Sequence, residues 1–97
     1  MATYMIFIRE GEITDHAAME AYRSANRGGG APLPGMKPLV VYGALETLEG
    51  KGADGVVILE FPDTASARSW YYSPEYQERA ALRQKAAPYR CLMVEGI

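Results

Sequence analysis

The sequence is poor in cysteine and histidine, which limits the chemistry open to it. Of its 97 residues, one is a cysteine, Cys91, and one is a histidine, His16. A lone cysteine cannot form a disulfide within the chain, and no CxxC motif or Cys/His cluster indicates a metal site. No Ser-His-Asp, HExxH or paired-carboxylate pattern appears either. We therefore predict a protein that uses no metal or other cofactor.

The sequence also lacks long apolar runs and any excess of one charge. No uninterrupted apolar stretch approaches the ~20 residues of a membrane helix, and residues 1–9 do not read as a signal peptide. Lys and Arg number 10 and Asp and Glu 12, spread through the chain, for a formal net charge of −2. This balance argues against nucleic acid or a membrane as partner. We expect a single domain over residues 1–97, located in the cytoplasm.

The order of predicted elements is β-α-β-β-α-β. Strands are predicted at 3–9, 39–48, 56–61 and 89–94 from their β-branched and aromatic content. Thr14 or Asp15 can cap the first helix, which must stop at the glycines of 28–30, and a loop rich in glycine and proline follows over 28–38. Asp63 caps a second helix, which Ser73 and Pro74 break before a third piece ends ahead of Pro88. This order predicts a ferredoxin-like α+β fold, a four-stranded antiparallel sheet with its helices on one face.

The strands are apolar on both faces, although the helices can cover only one of them. Ile6 and Ile8 alternate with Met5 and Phe7, and the strands at 56–61 and 89–94 repeat this pattern. An antiparallel sheet with one solvated face should instead alternate apolar with polar residues. A second copy of the chain, stacked sheet against sheet, would cover the remaining face. The alternative is that the loop over 28–38 covers it.

An aromatic cluster in the run WYYSPEY is the first candidate for a ligand pocket. Trp70 falls on the core face of its helix, whereas Tyr72 and Tyr76 flank the break at Ser73 and Pro74. Phenols at such a break can line the mouth of a pocket between helices and sheet, which Tyr22 of the first helix would also reach. The competing interpretation is that these aromatic rings only pack in the core.

Arg83 and His16 are the charged or titratable candidates for this site. Arg83 has no acidic residue at helical spacing, because positions 79, 80, 86 and 87 are Arg or Ala. An arginine of this kind can bind a carboxylate or phosphate with two hydrogen bonds, or it can be solvated. His16 is a candidate general base, but its place in the first turn of a helix predicts exposure.

Several short motifs resemble those of a bacterial protein family, the domain-of-unknown-function 1330 family. They are Glu60-Phe61-Pro62, Trp70-Tyr71, Ser73-Pro74-Glu75-Tyr76-Gln77, Arg83 and Val94-Glu95-Gly96. The resemblance implies a member of the dimeric α–β barrel superfamily, in which two ferredoxin-like sheets form a barrel across a homodimer. Many members place arginine and glycine where Val41 and Tyr42 stand here, and their preceding loop is shorter. The longer loop over 28–38 could act as a lid or as an arm crossing the dimer.

Two functions remain open from the sequence. The resemblance implies a small-molecule pocket between sheet and helices, and relatives in the wider superfamily include cofactor-independent monooxygenases, isomerases and dehydratases. The first hypothesis is therefore a cytoplasmic homodimer that binds a small organic acid or aromatic ligand, with or without turnover. The second is a non-catalytic ligand-binding or assembly module whose aromatic cluster is structural.

Overall fold

The computed structural model describes residues 1–28 and 35–97, and these form a four-stranded antiparallel sheet with three helices. The strands are β1 (Thr3–Arg9), β2 (Lys37–Val41), β3 (Gly55–Phe61) and β4 (Tyr89–Glu95). The helices are α1 (His16–Gly28), α2 (Thr64–Tyr71) and α3 (Pro74–Ala86). The order of strands across the sheet is β2-β3-β1-β4. This is the ferredoxin-like α+β fold that the sequence predicts.

Side-chain oxygens at the helix starts explain where the helices begin. Asp15 accepts a hydrogen bond from the Ala18 amide at 2.9 Å, and Asp63 accepts one from the Ser66 amide at 2.7 Å. Each satisfies an N–H that has no partner within its own helix. The Ser66 hydrogen bonds also lower the pKa of the Asp63 carboxyl. Of the two caps that the sequence allows for α1, Asp15 is the one used.

The core lies between the helices and one face of the sheet. Met5 and Phe7 of β1 pack there with Leu59 and Phe61 of β3, which follow the same alternation. Small residues on α2 and α3, such as Ala67 and Ala80, let the helices approach this layer closely. A smaller cluster joins α1 to the end of α3 and contains Ala18, Met19 and Ala86.

The second strand differs from its sequence prediction of 39–48. β2 starts at Lys37, inside the predicted loop, and ends at Val41. Tyr42 has a φ of 53°, which turns the chain away from β3. Two apolar residues beyond it are at least half exposed or nearly so: Leu45 is 49% exposed and Leu48 is 82% exposed. Most of the predicted loop over 28–38, and hence its role as lid or arm, lies outside the described residues.

Ser73 is predicted to stabilise the junction of α2 and α3 by about 1 kcal/mol, a typical value for an N-cap serine. Its hydroxyl accepts from the Tyr76 amide at 3.2 Å and donates to the Trp70 carbonyl at 2.7 Å. Ser73→Ala should lower the free energy of unfolding by that amount in urea titrations. Ser69→Ala, at an exposed position of α2, is the control and should stay within about 0.5 kcal/mol of the parent. Equal unfolding midpoints for both variants would contradict the capping role.

Candidate functional site

A row of three residues crosses the sheet on its helix-covered face, at the end of β1. Arg9 pairs with Gly55 of β3 on one side and with Tyr89 of β4 on the other. Because side chains alternate along a strand, Arg9 points to the same face as Phe7 and Met5. The core therefore ends in a charged residue, with a glycine to one side of it and a phenol to the other.

The missing side chain of Gly55 makes room for Tyr42. A Cβ on Gly55 would lie 2.8 Å from Tyr42 Cδ1 and 3.5 Å from Arg9 Nε. Tyr42 reaches across this space, and its hydroxyl lies 2.6 Å from that of Tyr89 in a hydrogen bond. The left-handed backbone of Tyr42 is rare for a residue with a side chain. The phenol pair thus depends on a glycine at one position and a strained tyrosine at another.

A cleft of about 270 Å³ opens between this end of the sheet, helix α1 and the segment after β2. Helix α1 and the turn before it supply an apolar wall from Ile13 and Met19, and Arg23 adds a guanidinium. The complete lining is Arg9, Ile13, Met19, Arg23, Tyr42, Gly43, Leu45, Asp54, Gly55 and Tyr89. We call this space the Arg9 cleft.

Arg9 is only partly satisfied where it borders the cleft. Its Nη2 donates to the Asp54 carbonyl at 2.8 Å, and the Asp54 amide donates back to the Arg9 carbonyl at 2.8 Å. These contacts hold the arginine in place. Its Nε is buried and has no hydrogen-bond partner among the residues that the structure describes. Neighbouring groups cover this nitrogen, so a ligand oxygen satisfies it only after the Arg9 side chain or those neighbours shift.

Arg83 lies directly behind Tyr89 and is buried, with 2% of its surface exposed. Its Cζ is 4.9 Å from the centre of the Tyr89 ring and 5.1 Å from that of Phe7. Two aromatic faces therefore hold the cation. Its Nε and Nη2 have no hydrogen-bond partner in the described part of the chain. These two nitrogens form the edge of a guanidinium that binds a carboxylate with parallel hydrogen bonds.

Burial keeps the phenols around Arg83 protonated. It raises the pKa of Tyr76, and the neighbouring Tyr22, whose hydroxyl is 3.2 Å away, raises it further. Burial and the hydrogen bond with Tyr42 likewise raise the pKa of Tyr89. Burial also raises the pKa of the Cys91 thiol. At neutral pH the Tyr76 and Tyr89 phenols can donate hydrogen bonds, but neither can act as a base.

None of the six residues proposed from the sequence lines the Arg9 cleft. Tyr22, Tyr76 and Arg83 come together behind Tyr89. Trp70 packs in the core, where its ring centre is 4.0 Å from that of Tyr76 and 5.5 Å from that of Phe61. Tyr72 is 70% exposed, and His16 is exposed as expected.

Four residues that line the cleft are not predicted as site residues from the sequence: Arg9, Tyr42, Gly55 and Tyr89. The sequence does contain one signal for Arg9. It continues the alternation of Met5 and Phe7, which predicts a charged residue on the core face of the strand. Predicting that Gly55 lies beside Arg9 requires knowledge of the register between β1 and β3. The approach of Tyr42 to Tyr89 joins residues far apart in the chain, and no local pattern predicts it.

The described residues offer no obvious site for a metal ion. Residues 1–28 and 35–97 contain no group of three His, Cys, Asp or Glu side chains placed to hold one. None of the helices in these residues is long and apolar enough to cross a membrane.

A family model named DUF1330, a domain of unknown function, matches residues 2–97. The chain belongs to the DUF1330 family. No curated protein matches the sequence. The resemblance drawn from the WYYSPEY run and the motifs around it is therefore confirmed over almost the whole chain.

Solved structures with the same fold include proteins of unknown function. One from Rhodopseudomonas palustris is 22% identical, with a TM-score of 0.67 over 99% of this chain and 82% of its own. A dimeric ferredoxin-like protein of unknown function from Jannaschia sp. is 17% identical, with a TM-score of 0.69 over 99% and 100%. An ethyl tert-butyl ether degradation (EthD) family protein from Bacillus halodurans is 18% identical, with a TM-score of 0.62 over all of both chains. At these identities the likeness establishes the fold.

Trp70 and Tyr72 should differ sharply in their effect on stability. Trp70→Ala removes a ring that contacts three other aromatic residues and should cost about 3 kcal/mol, near the lower end for a tryptophan because its side chain is only partly buried. Tyr72→Ala, two residues away on the surface, should change the free energy of unfolding by less than about 0.5 kcal/mol. Urea unfolding measures both. A stable Trp70→Ala variant would show that the ring is not needed for packing.

Proposed function

We propose that the protein is a homodimer that binds one small organic molecule in the Arg9 cleft of each protomer. The observation that carries the ligand site is the cleft itself, with its unpartnered Arg9 nitrogen, its pair of phenols and its apolar wall. Small-molecule sites combine a concave, mainly apolar surface with a few placed polar groups. A volume of about 270 Å³ suits a compact ligand.

The sheet face opposite the helices supports the dimer. Register places Ile6 beside Ile58 on one side and Leu92 on the other, so their side chains form one surface. Val94 and Leu92 are about half exposed on it. The apolar side chains of this surface are Tyr4, Ile6, Ile8, Val40, Val56, Ile58, Leu92 and Val94. A contiguous apolar patch on a sheet is typical of a protein–protein interface.

Charged residues lie at the ends of this apolar surface. Glu60 accepts a hydrogen bond from Tyr4 at 3.4 Å at one end. At the other end, Glu10 forms ion pairs with Arg90 and Lys51. An apolar centre with a polar rim is the usual composition of a stable interface. The relative from Jannaschia is itself described as dimeric, which adds support from the fold.

Leu92→Glu is expected to convert the dimer to a monomer. Leu92 is 46% exposed in the single chain, so the substitution leaves the protomer's own core intact but would bury a charge between two sheets. Native mass spectrometry and light scattering should report twice the chain mass for the parent and one chain for the variant. Leu48→Glu, exposed outside the sheet, is the control and should remain dimeric. A monomeric parent protein would overturn the dimer.

The geometry favours binding over turnover. Proton transfer near neutral pH needs a group whose pKa lies close to that range, and burial moves the Tyr89 phenol away from it. His16 lies exposed outside the cleft lining. Any isomerase- or monooxygenase-type step of the kind implied by the resemblance would use the Tyr89 phenol as a donor. The aromatic cluster around Trp70 contributes packing in this proposal.

Gly55→Ala should weaken ligand binding by about tenfold, because displacing Tyr42 from the cleft lining would cost the ligand about one hydrogen bond, or ~1.4 kcal/mol. The new methyl would meet Tyr42 Cδ1 at 2.8 Å and displace it from Tyr89. Benzoate and benzamide, titrated into isotope-labelled protein, are suitable probes for amide shifts at residues lining the cleft. Ser69→Ala, remote on α2, is the control and should bind like the parent. If neither probe shifts the cleft amides of the parent protein, the proposed ligand site is wrong.

A further inference from the structure

We propose that the ligand of the Arg9 cleft is a compact organic acid, whose carboxylate is held by unpaired guanidinium nitrogens at this end of the sheet. This inference rests on the proposed function and specifies the chemical class of the ligand. It has three sources: the balance of charge around the cleft, the free hydrogen-bond donors, and the apolar character of the remaining wall.

Positive charge exceeds negative charge around the cleft. Arg9 and Arg23 line it together with one acidic residue, Asp54. Arg83 adds a third guanidinium behind the Tyr89 ring. The nearby carboxylates of Glu10 and Asp15 already pair with lysine or arginine side chains elsewhere. An anion entering the cleft would offset the excess of positive charge in its lining.

The free donors suit a carboxylate more closely than they suit a neutral ligand. Arg9 offers a buried Nε, and Arg83 offers both nitrogens of its carboxylate-binding edge. A buried donor without a partner is costly, and a buried charge without one is costlier still. Among possible ligand groups, a carboxylate offsets the largest part of this burial cost, because its hydrogen bonds to a guanidinium are charge-assisted. A neutral amide of the same shape presents a single oxygen and no charge.

The two phenols add one further donor. The hydroxyls of Tyr42 and Tyr89 are joined by one hydrogen bond of 2.6 Å, so one of the two O–H hydrogens remains available. Since burial raises the pKa of Tyr89, that hydrogen is present at neutral pH. The Tyr89 ring also separates the cleft from Arg83. Arg83 does not line the cleft, so in this proposal a carboxylate reaches its guanidinium only when the Tyr89 ring moves aside.

The apolar part of the cleft wall determines which kind of group can accompany the carboxylate in the ligand. Ile13, Met19 and Leu45 are apolar, and they favour a short hydrocarbon or aromatic group over a sugar or a second charge. The expected ligand is therefore a monocarboxylic acid with a small apolar body. A phosphate ester of the same size would meet the same nitrogens but would leave a second negative charge against this wall.

The test compares acids with their own amides. Benzoate and butyrate, and the matching amides benzamide and butyramide, are titrated into isotope-labelled parent protein while the cleft amides are followed. We expect each acid to bind at least about tenfold more tightly than its amide, the typical value of a hydrogen bond to a charged group. Arg9→Gln should remove this preference, because the acid loses a charge-assisted hydrogen bond and therefore loses more affinity than the amide does. Arg68→Gln, on the exposed surface of α2, should retain it.

Arg83 is tested separately, because its substitution could disturb folding. Arg83→Lys keeps the charge but loses the two-pronged edge, and Arg83→Gln loses both; thermal unfolding first establishes that each variant folds. Acid binding should fall in both variants, with the larger loss in Arg83→Gln. If either does not fold, the comparison of Arg9→Gln with the parent decides the question alone.

The outcomes separate this inference from the proposed function. Equal affinity of the parent for acid and amide at the cleft would overturn the acid and leave the ligand site standing. Preference for the acid that survives Arg9→Gln would overturn the role of Arg9 in acid recognition. Absence of any shift at the cleft with all four probes would overturn the ligand site itself.

Discussion

Strand β1 is hydrogen-bonded on both sides, and the alternation of its side chains determines which residues form the core, the Arg9 cleft and the proposed dimer surface. Met5, Phe7 and Arg9 point towards the helices, so that one row runs from the centre of the core to the edge of the cleft. Ile6 and Ile8 point to the opposite face, where a second copy can pack. A shift of register by one residue would exchange these two sets. The core, the cleft and the proposed dimer surface therefore depend on the register of this one strand.

Gly55 and Tyr42 together form one side of the Arg9 cleft. The family resemblance leads one to expect glycine at position 42, and the positive φ there is a conformation that glycine adopts freely. With tyrosine in its place, the backbone cost of about 1–2 kcal/mol is offset by the hydrogen bond to Tyr89 and by packing over Gly55. Glycine at position 55 and tyrosine at position 42 together place a phenol in the cleft.

The sequence predicts the fold well because its signals are local or periodic. Ser73 and Pro74 mark the helix break by their own chemistry, and the alternation of Ile6 with Phe7 reveals two apolar faces without any knowledge of the partner strands. The end of β2 and the residues of the cleft cannot be predicted from local or periodic signals. The run from Leu39 to Leu48 reads as one strand, and only the backbone of Tyr42, fixed by contacts with distant residues, ends it early. Arg83 was singled out correctly as lacking a helical partner, but its burial between Phe7 and Tyr89 depends on tertiary packing.

The buried guanidinium of Arg83 affects both the stability of the fold and the proposed binding of an acid. Cation–π contacts with two rings recover about 1–4 kcal/mol, whereas taking an ion out of water without a counter-ion typically costs several kcal/mol. Dimerisation through the opposite face of the sheet does not change this balance, because Arg83 lies on the helix side. The nitrogens that the described residues leave without partners are the two that a carboxylate would take. In the proposed site, stability and acid binding are coupled at this residue: a ligand that reaches it should raise the unfolding temperature by more than its contacts with the cleft wall alone would do.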